Sequence, residues 1–332
     1  MAGIYPDQAT IAQQFTSLTR RAAPDTLVVQ VGTSTPTLSM LMANNNIVTG
    51  GTSIIQPIQL NSITTTSATD YSGSFNIGSI QTGANNFSFT LKPTITPIPV
   101  LGMDALIQMD HDIVPVLAMT MNDAGVSTTN FWNTQLFQNA TDNTKLIGLP
   151  AIYDDGTNAA TYGGLSKATY PVLKGKVYNA AGANPTRQNV LQYIMGTTKN
   201  SGGEMPTFGV CNMGVWSLLS ADFVGQEQYQ LRPGSSFDQE GPRSGFTALM
   251  VGSVPIFADP SIPDTDDSMY LINTKYLSLN VHAMGAFRIL DFVSMLALGQ
   301  LGYVGAVFNV AELICTKPST GSRITNFASA TL

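Results

Sequence analysis

Charge is scarce in this chain. Asp, Glu, Lys and Arg make up 11% of its 332 residues, against about a quarter in an ordinary globular protein. Ser, Thr, Asn and Gln supply the polar surface instead. A subunit that hides much of its surface in an assembly has this composition, and so does a Thr/Asn-rich β protein. Basic excess is absent too: the formal net charge is −6 and the pI about 4.8. That excludes a free nucleic-acid binder, which presents a basic patch. There are two histidines, His111 and His282, far apart in sequence, so no histidine cluster for zinc can be built. Two cysteines, Cys211 and Cys315, form no CxxC pair and no disulfide framework; buried reduced thiols are expected. The first twenty residues contain no continuous apolar core of a secretory signal. The one long uncharged run, Phe292 to Ala311, has the length of a membrane span. Gly299, Gln300, Gly302, Gly305 and Asn309 interrupt it and no basic flank borders it, so two buried strands split near 299–302 are expected.

Catalytic signatures are equally absent. No GxSxG, P-loop or GxGxxG occurs. His111 between Asp110 and Asp112 reads as a solvated helix face. Asp154-Asp155, followed by Gly156, is expected to cap backbone amides in a turn rather than work as paired carboxylates. Asp264, Asp266 and Asp267 lack the later glycine and bidentate glutamate of a calcium loop and read as a polar turn. Trp132 and Trp216 lie in helical patterns and are expected in the core. No cofactor, metal or catalytic residue follows from the sequence, and no enzyme activity is expected.

What is present is a mixture of strands and helices, an α+β pattern. Hydrophobic residues are 43% of the chain, enough for a sizeable core. Leu106, Met109, Ile113, Leu117 and Met121 recur at helical spacing, predicting a long helix over about 103–121, kinked at Pro115. Its length would be about 28 Å. A weak stop at Asn122-Asp123-Ala124-Gly125 precedes a second helical run, 128–138. Residues 1–49 read as an extended arm with little core of its own. Residues 50–92 read as a hairpin: GGTSIIQPIQL opens a strand, a polar middle follows, and NFSFTLKP closes it. Phe87, Phe89 and Leu91 alternate there with Ser88, Thr90 and Lys92, the period of a half-buried strand. A lone hairpin is marginally stable, so a neighbouring subunit is the expected cover for Phe75, Phe87, Phe89 and Leu91. Further helices are expected at 185–198, ended by Gly196 or soon after, and at 213–224. A strand is expected at 206–212, a strand, turn and strand at 246–263, and a strand pair or one bent strand at 269–282.

The order of these motifs resembles the major capsid proteins of tailed bacteriophages. The stretches that carry the resemblance are GGTSIIQPIQ, FTLKP, GLPAIYDDGTNAATYGGLSKATY, PTFGVCNMGVWSLL, LMVGSVPIFADPSIPDTDDSMYLINTKYLSLNVH and GAVFNVAELICTKPSTGSRI. Together they span about residues 50–325. The resemblance implies an N-terminal arm (1–49), an extended hairpin loop (50–92), and a peripheral domain (93–184) holding the spine helix. It further implies an axial domain (185–300) and C-terminal strands and tail (301–332) returning to the peripheral domain. It implies self-association into pentamers and hexamers of an icosahedral head around double-stranded DNA, assembled in a host cytoplasm and found in the virion. Scaffolding, portal and cement proteins are the further partners it implies, with no membrane; a scaffold, if used, is expected to be a separate protein. An encapsulin-type nanocompartment shares the fold and is the alternative. In one branch of the family a hairpin lysine forms an isopeptide bond with a neighbour's asparagine. Here the first lysine is Lys92, at the hairpin's base, and 61–86 have none, so a shell without covalent cross-links is expected. Phe75, Phe87, Phe89, Leu91 and Lys92 are the candidate assembly contacts.

Overall fold

A computed structural model describes residues 35–60, 83–101, 116–138, 144–227, 248–263, 265–286, 288–295, 300 and 302–330. The elements, in chain order, are α1 (Pro36–Ala43), β1 (Asn45–Val48), β2 (Ser53–Gln59), β3 (Ala84–Thr90), β4 (Lys92–Leu101), α2 (Val116–Leu136) and α3 (Leu149–Ile152). Then follow β5 (Thr161–Tyr162), β6 (Leu165–Ser166), β7 (Lys176–Asn179), α4 (Arg187–Asn200), β8 (Phe208–Cys211), α5 (Met213–Glu227), β9 (Leu249–Val251) and β10 (Val254–Ala258). The last are β11 (Met269–Ile272), β12 (Leu277–His282), β13 (Arg288–Ser294), β14 (Gly302–Cys315) and β15 (Ser322–Thr325). The chain divides into two units. One holds 93–132 and 285–309; the other holds 34–92, 133–284 and 310–332.

In the first unit β13 pairs antiparallel with the first half of β14, and β4 also pairs with β14. Of the two buried strands expected from the uncharged run, β14 starts at Gly302 as expected, but β13 begins earlier, at Arg288, includes Asp291 and is largely exposed, with Val293 at 63%. Ile98, Ala124 and Val307 form the core, with Val100, Met121 and Phe292 against it. The Thr96 and Thr128 hydroxyls meet at 2.8 Å. Helix α2 runs without interruption over 21 residues, about 31 Å. The stop expected at 122–125 does not exist. A glycine inside a helix costs only about 1 kcal/mol, and burial of Ala124 in this core offsets it. The helix ends at Leu136, near the expected 138. Residues 102–115, with Asp104, Asp110, His111, Asp112 and Pro115, lie outside the described residues.

The second unit is built on a six-stranded sheet of order β7-β15-β11-β8-β10-β9. β8 is central and buried along its whole length, which explains its unbroken apolar sequence. Helices α4 and α5 supply Val190, Ile194, Val215 and Leu219 to the core of this sheet. The Thr186 hydroxyl caps α4 by accepting from the Asn189 amide at 3.3 Å. Gly196 does not end α4. A Cβ there would lie 2.3 Å from the Tyr178 hydroxyl, so the glycine permits close packing while the helix continues to Asn200. The 269–282 stretch is two strands parted by a turn: β11 joins the six-stranded sheet, and β12 lies between β1, to which it is parallel, and the second half of β14.

The arm reading also needs correction at its described end. Helix α1 buries Leu38, Met40 and Leu41. The Thr37 amide and hydroxyl both donate to the Asp259 carboxylate, and the Thr35 hydroxyl donates to Asn133 at 2.7 Å. Eight residues are too few for a helical period to stand out in the sequence.

The GLPAIYDDGTNAATYGG block folds around Asp154, which is 1% exposed. Its carboxylate accepts from the amides of Gly156, Asn158 and Ala159 at 2.8, 3.1 and 2.9 Å, the amide-capping turn expected. Asp155 accepts from the Thr157 hydroxyl and amide, and the hydroxyl's bond chiefly holds its carboxyl below the ordinary range. Beneath this turn the fully buried Lys167 amine donates to the Ala151 and Asp154 carbonyls at 2.9 and 3.0 Å. Burial lowers its pKa from 10.5 to about 8, against the pull of Asp154 and Asp155. Between those two values the unfolded chain therefore holds more protons than the folded one, and stability rises with pH. Urea unfolding should show wild type gaining on Lys167→Met from pH 8 to pH 10; a difference that stays flat over that range contradicts the assignment.

Candidate functional site

Four of the candidate contact residues converge on the root of the hairpin; Phe75 lies outside the described residues. β2 and β3 pair in a register from Ser53 opposite Thr90 to Gln59 opposite Ala84. The Leu91 amide closes the pair on the Thr52 carbonyl at 3.0 Å. The alternation read from the sequence holds: Phe87 and Phe89 are buried between exposed neighbours. Their cover is not a neighbouring subunit. Phe87 and Phe89 stand 5.5 and 5.2 Å from the Tyr162 ring, centroid to centroid, both edge-on, a favourable aromatic arrangement. Leu91 is buried as well. The hairpin of one chain thus completes its own aromatic cluster.

Tyr162 ends β5, and a tight Gly163–Gly164 turn returns the chain into β6. Both glycines have positive φ, 58° and 81°, as such a turn requires. Gly163 also leaves room for the cluster, because a Cβ would lie 2.6 Å from the Phe87 ring. The Gly163 carbonyl accepts from the Ser88 amide at 3.0 Å. The Tyr162 hydroxyl donates to the Cys315 carbonyl at 3.1 Å and accepts from the Cys315 amide at 2.8 Å. Burial raises this phenol well above its ordinary range.

Lys92, the first residue of β4, is 7% exposed, and Glu312, on β14, is 0% exposed. The Lys92 amine donates to the Glu312 carboxylate at 2.6 Å and to the Lys145 carbonyl at 3.1 Å. The other carboxylate oxygen accepts from the amides of Ile147 at 2.9 Å and Leu313 at 3.1 Å. Burial pushes the Glu312 carboxyl up, and the bond from Lys92 opposes it. Removing one partner of such a pair leaves a buried charge and costs about 3–5 kcal/mol. Lys92 is therefore an internal anchor, not an outward contact. Sequence reasoning missed Tyr162, Gly163 and Glu312. Glu312 carried a signal, a lone charge in the apolar run VAELIC, but nothing local tells which cation meets it.

The remaining candidates lie elsewhere. Asp266 accepts from the Ser268 hydroxyl, from Tyr270 at 2.9 Å and from Arg323 at 3.1 Å, which consumes its oxygens. Asp264 lies outside the described residues. His282 accepts the Met284 amide at 3.2 Å. Trp132 is buried, and Trp216 packs against the second unit's core. Cys211 and Cys315 are buried free thiols, and burial pushes Cys315 up to about 12. Among the described residues no cluster of His, Cys, Asp or Glu could hold a metal. No helix among them is long and apolar enough to cross a membrane.

No protein-family model and no curated protein matches the chain. Solved structures match it over nearly its whole length. The cyanophage A-1(L) capsid asymmetric unit aligns with a TM-score of 0.66 at 16% identity, covering 95% of this chain and 98% of that one. The SrpI encapsulin complex of Synechococcus elongatus aligns with a TM-score of 0.59 at 9% identity, covering 96% and 95%. The capsid of Myoviridae phage XM1 aligns with a TM-score of 0.57 at 11% identity, covering 98% and 99%. The chain has the α+β fold of the shell-forming proteins. In particular, it is the fold of tailed-phage capsid subunits, which encapsulins share.

Two outcomes test the root. Tyr162→Phe strands the Cys315 amide in the interior and should cost about 1–3 kcal/mol in denaturant unfolding; an unchanged midpoint contradicts the bond. With the Lys92 amine held by Glu312 inside its own chain, denaturing electrophoresis of particles should give a single band near 35.3 kDa, and a ladder surviving reductant contradicts that placement.

Proposed function

We propose that this chain is a structural major capsid protein that self-associates into pentamers and hexamers and closes an icosahedral head around double-stranded DNA. The observation that carries the reading is the end-to-end likeness to the cyanophage capsid subunit, which covers 98% of that chain. The scarcity of charge agrees with a surface that is largely covered in an assembly. An acidic container suits packaged DNA, because a strongly basic lining would grip the phosphates. The subunit has no catalytic role in this reading. Its partners are further copies of itself, with scaffolding, portal and cement proteins joining during assembly in the host cytoplasm, and its destination is the virion. Beyond its root, the hairpin extends over a neighbouring subunit.

The likeness to an encapsulin keeps a protein nanocompartment as the second reading. Electron microscopy of the expressed chain tests both. Closed shells, tubes or ring-shaped capsomers are expected, and a strictly monomeric protein under all assembly conditions, with or without scaffold, contradicts both readings. Nucleic acid in particles from the native source points to a phage head, and a protein cargo to a nanocompartment. Deleting residues 63–85 should leave a soluble folded chain and abolish closed shells; normal shells from the deletion would sink the proposed overlap.

A further inference from the structure

The hairpin root holds two kinds of contact, and they differ in what they can specify. Phe87 and Phe89 against Tyr162 is an apolar contact, which is non-directional and tolerates sliding and tilt. The bond from the Lys92 amine to Glu312 is charge-assisted, short at 2.6 Å, and directional. It joins the residue that follows the hairpin to β14, and the Ile147 amide and Lys145 carbonyl fix the two charged groups in turn. Stability does not account for a buried ion pair, because apolar residues of similar size serve as well or better. Conformational specificity is the use that remains. The geometry gives that use a scale. From Lys92 back through β3 to Ala84, extended chain spans about 26 Å. A tilt of about 10° at the root moves the far end by roughly 4–5 Å, beyond the reach of any hydrogen bond to a neighbour.

Taking the capsid reading as its basis, we infer that Lys92 and Glu312 are positioning residues for assembly. Their buried bond sets the direction in which the hairpin leaves its own subunit, and so the curvature at which a second copy can be engaged. Its effect is read in the geometry of the shell rather than in the stability of the subunit.

The test uses the full chain with Lys92→Met and Glu312→Gln together. This variant leaves no unpaired charge and keeps a carbonyl oxygen for the Ile147 amide. Its melting temperature should stay close to wild type, while uniform closed shells are lost to open, tubular or polydisperse particles in electron micrographs. Uniform shells of wild-type diameter from a folded variant overturn the inference. A wild-type chain that forms no particles overturns the capsid reading itself, and this inference with it. A second measurement needs no variant. Under native acylation of wild-type protein, Lys92 should be strongly protected relative to Lys275, whose side chain is 65% exposed. Should the double variant fail to fold, labelling decides: Lys92 modified as fast as Lys275 overturns the inference.

Discussion

Lys92 and Glu312 stand 220 residues apart in the chain and meet at 2.6 Å. On that meeting the attachment of the hairpin depends. A lysine and a glutamate are tolerated in the interior only when each charge and each remaining polar atom has a partner. Here the carboxylate receives the ammonium and two backbone amides, and the ammonium also finds the Lys145 carbonyl. The pair therefore fixes three things together: the start of β4, the second half of β14, and the 145–147 segment. Tyr162 binds the same strand three residues further on, through Cys315, and offers its ring to Phe87 and Phe89. Ionic and aromatic anchors thus converge on one short length of β14.

The same pattern recurs across the second unit. Asp154, Lys167 and Asp259 are all buried, and each has its bonds satisfied by backbone groups, hydroxyls or, for Asp154, also the Asn158 carboxamide. Asp154 organises a turn, Lys167 supports it from beneath, and Asp259 ties α1 to the end of β10. A chain with few charges thus places several of them inside, where each determines the path of a loop.

Much of the architecture was legible beforehand because it is local. The alternation of Phe87 and Phe89 with Ser88 and Thr90 placed β3. The run PTFGVC placed a buried strand, and the glycine cluster at 299–302 placed the start of β14 at Gly302. The DDG turn was legible because Asp side chains cap amides two residues on. Where the reading failed, a long-range contact had overruled a local signal. Gly125 does not stop α2, because Ala124 packs against Ile98 and Val307. Helix α4 ends soon after Gly196, as expected, and the tertiary structure adds that this glycine makes room for Tyr178.

The sequence by itself determined the element types, the hairpin, the turn at Asp154 and the mixture of strands and helices, since each rests on side-chain period or on capping within a few residues. Only the tertiary structure decided what the hairpin's buried face meets. Phe87 and Phe89 had to be covered by something, and a neighbouring subunit and the chain's own Tyr162 satisfy that demand equally well on paper. The choice lies in where the Gly163–Gly164 turn is carried by the fold, and in which of the few carboxylates reaches Lys92. Contacts across 220 residues leave no periodic trace, because apolar attraction and charge pairing specify a kind of partner and not its position in the chain.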